Sequence, residues 1–144
     1  MPKMYRSMFT DGDSPAVGSK SNQLGAREGS DIHPDSNGII APGEGMSMTG
    51  CPCHLPPHLI PRRLRSVFGK GEGRNELVIW CHGSGEYKSH SISEELYANA
   101  TSFRHGHIEP ATEMHKDKFN AALSETKFSW KVNEGHSDGC EMES

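Results

Sequence analysis

No stretch of this chain approaches the run of about 18 apolar residues that a membrane-spanning helix needs, so such a helix is excluded and no membrane partner is expected. Apolar residues are scarce overall: 33% are hydrophobic and 7% aromatic, which at 144 residues supplies one small core and one domain. Positive charge is not in excess either. Fifteen Lys and Arg against nineteen Asp and Glu leave a net charge of −4, which argues against binding built mainly on counterion release from nucleic acid. The opening Met1-Pro2-Lys3-Met4-Tyr5-Arg6-Ser7-Met8-Phe9 lacks the apolar segment of a signal peptide, so the expected location is cytoplasmic or reached by a signal-less delivery route. The four cysteines, Cys51, Cys53, Cys81 and Cys140, are therefore expected to be reduced thiols.

What the chain has instead is glycine and proline, 16 and 9 residues, so much of it must be turn or irregular structure. Residues 4–9 read as an N-terminal strand carrying Arg6. Residues 11–37 read as a long polar loop with a short helix around 23–28, and 38–42 and 43–49 as brief extended segments with flanking glycines. Four prolines between 51 and 61 predict extended or polyproline II chain, followed by the basic Arg62-Arg63-Leu64-Arg65 and a glycine-rich turn. Glu76-Leu77-Val78-Ile79-Trp80-Cys81-His82 is the strongest strand signal and should lie centrally in a sheet. A short helix is predicted over 94–100 with Ser91 or Ser93 as its cap, a strand over 105–110, and an amphipathic helix over 112–129 capped by Thr112. The expected architecture is a single α+β domain over 1–133, with a small split, mostly antiparallel sheet and a C-terminal helix, and a polar, disordered tail over 134–144.

Three constellations carry chemistry. His105-Gly106-His107-Ile108-Glu109-Pro110-Ala111 sets two imidazoles and a carboxylate within five residues, suited to acid–base or cation-stabilising work. Cys51-Pro52-Cys53-His54 with His58 offers thiolates and imidazoles for a zinc staple, and hence for an interaction module. The one-residue gap between these cysteines departs from standard zinc spacing. His105 and His107 also suit a metal-independent ribonuclease, with the Arg62, Arg63 and Arg65 patch holding phosphate.

The remaining constellation joins Tyr5-Arg6, Ser47 with Thr49, and Glu109. Arg6 and Ser47 are 41 residues apart and Ser47 and Glu109 are 62 apart, enough chain for the elements between them. A strand arginine can fork onto a phosphate of a dinucleotide, and a fixed carboxylate stabilises the oxocarbenium-like ribose left when nicotinamide departs. This order resembles the Arg–Ser–Glu pattern of ADP-ribosyltransferases. Gly45-Met46-Ser47, Leu55-Pro56-Pro57-His58, Val78-Ile79-Trp80, the His105 to Ala111 segment and Trp130 look like small toxin-type proteins related to type VI secretion effectors of that fold. The resemblance implies an ADP-ribosyltransferase-like fold and NAD as substrate, transferred to a macromolecular acceptor or to water. It also implies a cognate immunity protein, with Arg6 on the NAD phosphate, Ser47 bracing the pocket, and Glu109 acting on the ribose while His105 and His107 orient the substrate. The chain departs from the pattern twice: Ser47-Met48-Thr49 stands where three consecutive small hydroxyl residues are usual, and His107 stands where an acidic or amide residue that helps select the acceptor often precedes the catalytic Glu by two, which leaves the acceptor open.

Overall fold

In the computed structural model, which describes residues 2–102 and 104–135, the apolar segment around Trp80 is the middle strand of a sheet. Chain order is β1 (Met4–Met8), β2 (Thr10–Asp11), β3 (Ser14–Pro15), β4 (Ile39–Ile40), β5 (Met46–Met48) and the single-turn helix α1 (Arg65–Phe68). There follow β6 (Val78–His82), β7 (His90–Ser91), β8 (Leu96–Asn99), β9 (Gly106–Pro110), β10 (Met114–His115), helix α2 (Lys116–Glu125) and β11 (Trp130–Val132).

Two antiparallel sheets carry the fold: β1-β6-β11, and β5-β9-β8-β7. They meet at one bridge, where Tyr5 and Thr49 exchange backbone hydrogen bonds of 2.8 and 2.9 Å. The expected α+β class, with mostly antiparallel strands and a helix toward the C-terminus, is therefore what the chain adopts. All five residues of β1 are buried because both of its faces are covered. Met4 and Met8 join the main core with Trp80, Ile108, Phe119, Leu123 and Trp130, and Tyr5 joins a second cluster with Leu55, Ile60, Leu64 and Ile79.

Several local expectations give way to tertiary pairing. Residues 94–100 hold a strand rather than a helix: Leu96 and Ala98 are buried and Tyr97 is exposed, the two-residue period of a strand bonded to β7 and β9. The C-terminal helix is shorter than 112–129. Met114 and His115 pair with Ile40 and Ile39 as β10 and β4, so the cap is the His115 imidazole, which accepts from Asp117 N, and not Thr112. At the other end Lys127–Ser129 tightens to a 3₁₀ turn and Trp130 opens β11 against β6. Within α2, Phe119, Ala122 and Leu123 form the buried stripe that helical spacing implied.

Residues 23–28 form no helix; Leu24 and Ala26 are buried in the core, and Ala26 N donates to Asn120 Oδ1 at 2.8 Å. The proline-rich segment is not extended throughout but includes 3₁₀ turns at Pro52–His54 and Pro57–Leu59, each with proline in its first turn, where a missing N–H costs nothing. The basic segment becomes a 3₁₀ turn, Arg62–Leu64, running into α1, which ends at Gly69 in the left-handed region (φ 75°). Of residues 134–144, Glu134 pairs with Arg63 at 2.6 Å, and 136–144 lie outside the described residues.

The long loop is tied down at His33, whose Nδ1 lies 2.8 Å from Glu44 Oε2 while its backbone N–H donates to Oε1. The hydrogen bond and charge of Glu44 raise the His33 pKa above 6.5. For Glu44, burial acts upward, but its hydrogen bonds and the His33 charge outweigh that and lower it below 4.5. A raised histidine stabilises at low pH and loses that contribution as pH rises through its folded pKa; a lowered carboxylate does so at high pH and loses it as pH falls. The pair should therefore stabilise most between about 4.5 and 6.5, the two ordinary values. Proton NMR titration should place His33 above its ordinary value and return it there in Glu44→Gln; an unmoved titration would refute the coupling.

Candidate functional site

Because β1 touches both sheets, its middle residue, Arg6, is held inside the protein. On the core face, between Met4 and Met8 and opposite Trp80 in register, its guanidinium reaches across to β5. Nη1 donates to the Ser47 carbonyl at 2.7 Å and to Ser47 Oγ at 3.0 Å, and Nη2 to the Gln23 carbonyl at 3.1 Å. Nε has no acceptor. Burial lowers the Arg6 pKa to about 10, partly countered by the charge of Asp31 and reinforced by that of Arg27, so it stays a cation at neutral pH. All three of its acceptors are uncharged, an unusual state for a residue only 9% exposed.

Ser47 continues the line. In β5 its neighbours Met46 and Met48 point into the core and Ser47 points out, directly opposite His107 of β9. Gly45, just before it, lets the two strands close, since a Cβ there would land on the Ile108 carbonyl. On β9, His107 and Glu109 share a face by strand alternation. His107 Nε2 lies 2.8 Å from Glu109 Oε1, and Asn99 Nδ2 of β8 donates to the same oxygen at 3.0 Å. A carboxylate only accepts, so the histidine proton sits on Nε2. Glu109 is buried, and its second oxygen takes no hydrogen bond among the described residues.

Beside Ser47 opens a cleft of about 380 Å³, within the range of small-molecule sites. Its walls include Arg6, Arg27, Arg104, His54, His58 and His105, with Tyr5, Ser7, Ser21 and Thr49, and no Asp or Glu among the described lining residues. In a chain of net charge −4, a carboxylate-free cleft with three guanidiniums is a local inversion of sign suited to an anion.

The residues expected from sequence are thus distributed unevenly. Arg6 and Ser47 are bonded, and Ser47 faces the His107–Glu109 pair. His105 lines the cleft, while its backbone carbonyl is pinned by Ser102 N, Thr101 Oγ1 and Tyr87 Oη. Tyr5 borders the cleft but is fully buried in the second cluster, so it backs the cleft wall. Thr49 is also buried, its hydroxyl given to the Cys51 carbonyl at 2.9 Å. Cys51 is disulfide-bonded, which corrects the expectation of four reduced thiols. Among the described residues no group of three His, Cys, Asp or Glu side chains is placed to hold a metal ion, and His54 and His58 line the cleft. Of the basic patch, Arg63 is bound to Glu134 and the Leu77 carbonyl, and Arg65 to the Gly71 carbonyl. Asn99, Arg27 and Arg104 escaped sequence reasoning because their placement depends on strand pairing and loop closure that no local pattern encodes.

The fold and site define a small α+β protein with a cationic cleft; His107 and Glu109 are not among its described lining residues, and His107 stands opposite the cleft-lining Ser47 in register. Comparison with protein-family models, curated proteins and solved structures finds no match to this chain.

Proposed function

We propose that this chain is an ADP-ribosyltransferase-like enzyme of toxin or effector type that binds NAD and cleaves its nicotinamide–ribose bond. The observation that supports this best is the convergence of three distant motifs: Arg6 is bonded to Ser47, and Ser47 stands opposite His107 on the strand that carries Glu109. In this reading the Arg6 cation exchanges its uncharged acceptors for a phosphate oxygen of NAD, a charge-assisted bond stronger than those it gives up. The bond from ribose C1′ to the nicotinamide nitrogen breaks, and its electron pair leaves with nicotinamide as a neutral amide. The Glu109 carboxylate stabilises the resulting oxocarbenium, held in place by Asn99 and His107. An acceptor oxygen or nitrogen then bonds to C1′ and loses its proton, giving a macromolecular ADP-ribose adduct, or free ADP-ribose when water is the acceptor. A cognate inhibitory protein belongs to the same reading.

The test is nicotinamide release from NAD by purified protein in a cell lysate, with Ser47→Ala and Arg6→Lys as folded controls. Release should be clear in wild type, and Arg6→Lys should raise KM at least tenfold, because an ammonium cannot reproduce the fork at this position. No release from folded wild type sinks the reading. The cleft-lining His105 and Arg104 favour RNA cleavage as the second reading, and loss of a labelled RNA in the same lysate would move the assignment there.

A further inference from the structure

We propose a further activity for this site: Ser47, His107 and Glu109 act as nucleophile, base and orienting carboxylate in the hydrolysis of carboxylic esters that carry negative charge. The inference goes beyond the NAD reading, because it needs no dinucleotide and uses a hydroxyl that the NAD reaction leaves idle.

Strand pairing puts the three groups in order. Residues directly opposite each other in antiparallel strands hold their Cβ atoms about 4.5–5.5 Å apart on one face, and Ser47 and His107 are such a pair. Ser47 is exposed and lines the cleft, so its hydroxyl is open to a ligand. With the His107 proton on Nε2, held by Glu109 Oε1 at 2.8 Å, the lone pair on Nδ1 is the basic one, and it takes no hydrogen bond among the described residues. Asn99, opposite His107 on its other side, donates to the same Glu109 oxygen at 3.0 Å and fixes the carboxylate. Glu109 is thus a positioning residue that also stabilises the imidazolium formed when His107 takes a proton. No hydrogen bond joins Ser47 to His107 in this structure. A hydroxyl and a ring on Cβ atoms this close meet by side-chain rotation, and catalytic contacts commonly tighten only when substrate binds.

Arg6 supplies a second activation. Its Nη1 donates to Ser47 Oγ at 3.0 Å and to the Ser47 carbonyl at 2.7 Å, which orients the hydroxyl and favours negative charge on its oxygen. The hydroxyl proton is left for His107. Ser47 Oγ attacks the ester carbonyl carbon as that proton passes to His107 Nδ1. The bond from this carbon to the alcohol oxygen then breaks, and the alcohol leaves with the proton. Water attacks the acyl-serine and gives a proton to His107, and Ser47 Oγ departs from the acyl carbon and regains it, releasing the acid. The cationic cleft, with no carboxylate among its described lining residues, favours an ester that is itself anionic.

The experiment treats the purified full chain, without NAD, with phenylmethylsulfonyl fluoride, which sulfonylates base-activated serines as fluoride leaves, and locates the adduct by tandem mass spectrometry. The same protein is assayed for hydrolysis of phenyl acetate, which is neutral, and of the acetate ester of p-hydroxybenzoate, which is anionic. The variants are Ser47→Ala and His107→Gln; the glutamine keeps a donor for Glu109 and lacks the base, and thermal melts check that both fold. An adduct on Ser47 is expected, absent in Ser47→Ala and formed about a hundredfold more slowly in His107→Gln. The anionic ester should show a KM about tenfold below that of the neutral one. No adduct on wild-type Ser47, adduct formation undiminished in His107→Gln, or ester hydrolysis that survives Ser47→Ala would overturn the inference, and equal KM values would overturn its substrate class. The two readings fail separately. A Ser47 adduct with ester hydrolysis but no nicotinamide release keeps this activity and removes the NAD reaction, whereas nicotinamide release without a Ser47 adduct does the reverse.

Discussion

Glu109→Gln is expected to lower the rate of nicotinamide release by a factor of about 10²–10³ while leaving the melting temperature within a degree or two of wild type. The replacement is nearly isosteric, and an amide oxygen still accepts from Asn99 Nδ2 and His107 Nε2, so the cross-strand network that holds this side chain survives. What disappears is the negative charge that would face a developing oxocarbenium. That charge is placed by two donors on one oxygen and sits in a site only 8% exposed, where an electrostatic contribution is less screened than in water. The expected loss corresponds to roughly 3–4 kcal/mol of transition-state stabilisation and should appear in kcat rather than KM. Release by Glu109→Gln at the wild-type rate, measured by chromatography of nicotinamide, would remove Glu109 from the chemistry.

Trp80→Ala should destabilise the protein by about 3–5 kcal/mol, the usual cost of truncating a large buried aromatic. Trp80 is the centre of β6, between β1 and β11, 1% exposed, with its indole N–H on the Met8 carbonyl at 3.3 Å. Removing it opens a cavity in the main core and strips the support opposite Arg6 in the register. For a domain of this size the melting temperature should fall by roughly 10 °C. Trp80→Phe, which gives up the hydrogen bond and part of the volume, should cost clearly less. A melting temperature within 2 °C of wild type for the alanine variant would show that Trp80 does not anchor the sheet. The scale of the expected loss also means that activity assays on Trp80→Ala must be read at a temperature where the variant is folded.

What local pattern made legible was the material with a strong period or a strong prohibition. Val78, Ile79 and Trp80 form the densest apolar run of a chain poor in such residues, and it becomes the middle strand. Phe119, Ala122 and Leu123 fall on one helical stripe, and that interior of α2 is helical, although its ends are not where capping signals put them. Residues 94–100 misled because Glu, Leu, Tyr and Ala suit a helix in isolation. Hydrogen bonding to β7 on one edge and β9 on the other outweighs a propensity worth only tenths of a kcal/mol per residue. Thr112 and the first turn expected after it lost to the pairing of Met114 and His115 with Ile40 and Ile39, a partner more than seventy residues away. The disulfide at Cys51 lay beyond any argument from spacing.

The sequence by itself determined the class of the protein: a small α+β fold, no membrane-spanning helix, and a short list of residues able to do chemistry. Composition, periodicity and residue chemistry are local quantities, and local quantities suffice for those conclusions. Only the tertiary structure decided which of those residues meet. It buried Tyr5 and Thr49 behind the cleft, placed His54 and His58 on its wall, and spent Arg63 and Arg65 on holding loops. It also brought Asn99 to Glu109, and Arg27 and Arg104 to the cleft that Arg6 floors. The physical reason is that a site is made by contacts between residues distant in the chain. Their geometry is set by strand register and by the burial of β1 on both faces, and neither is written in any one segment.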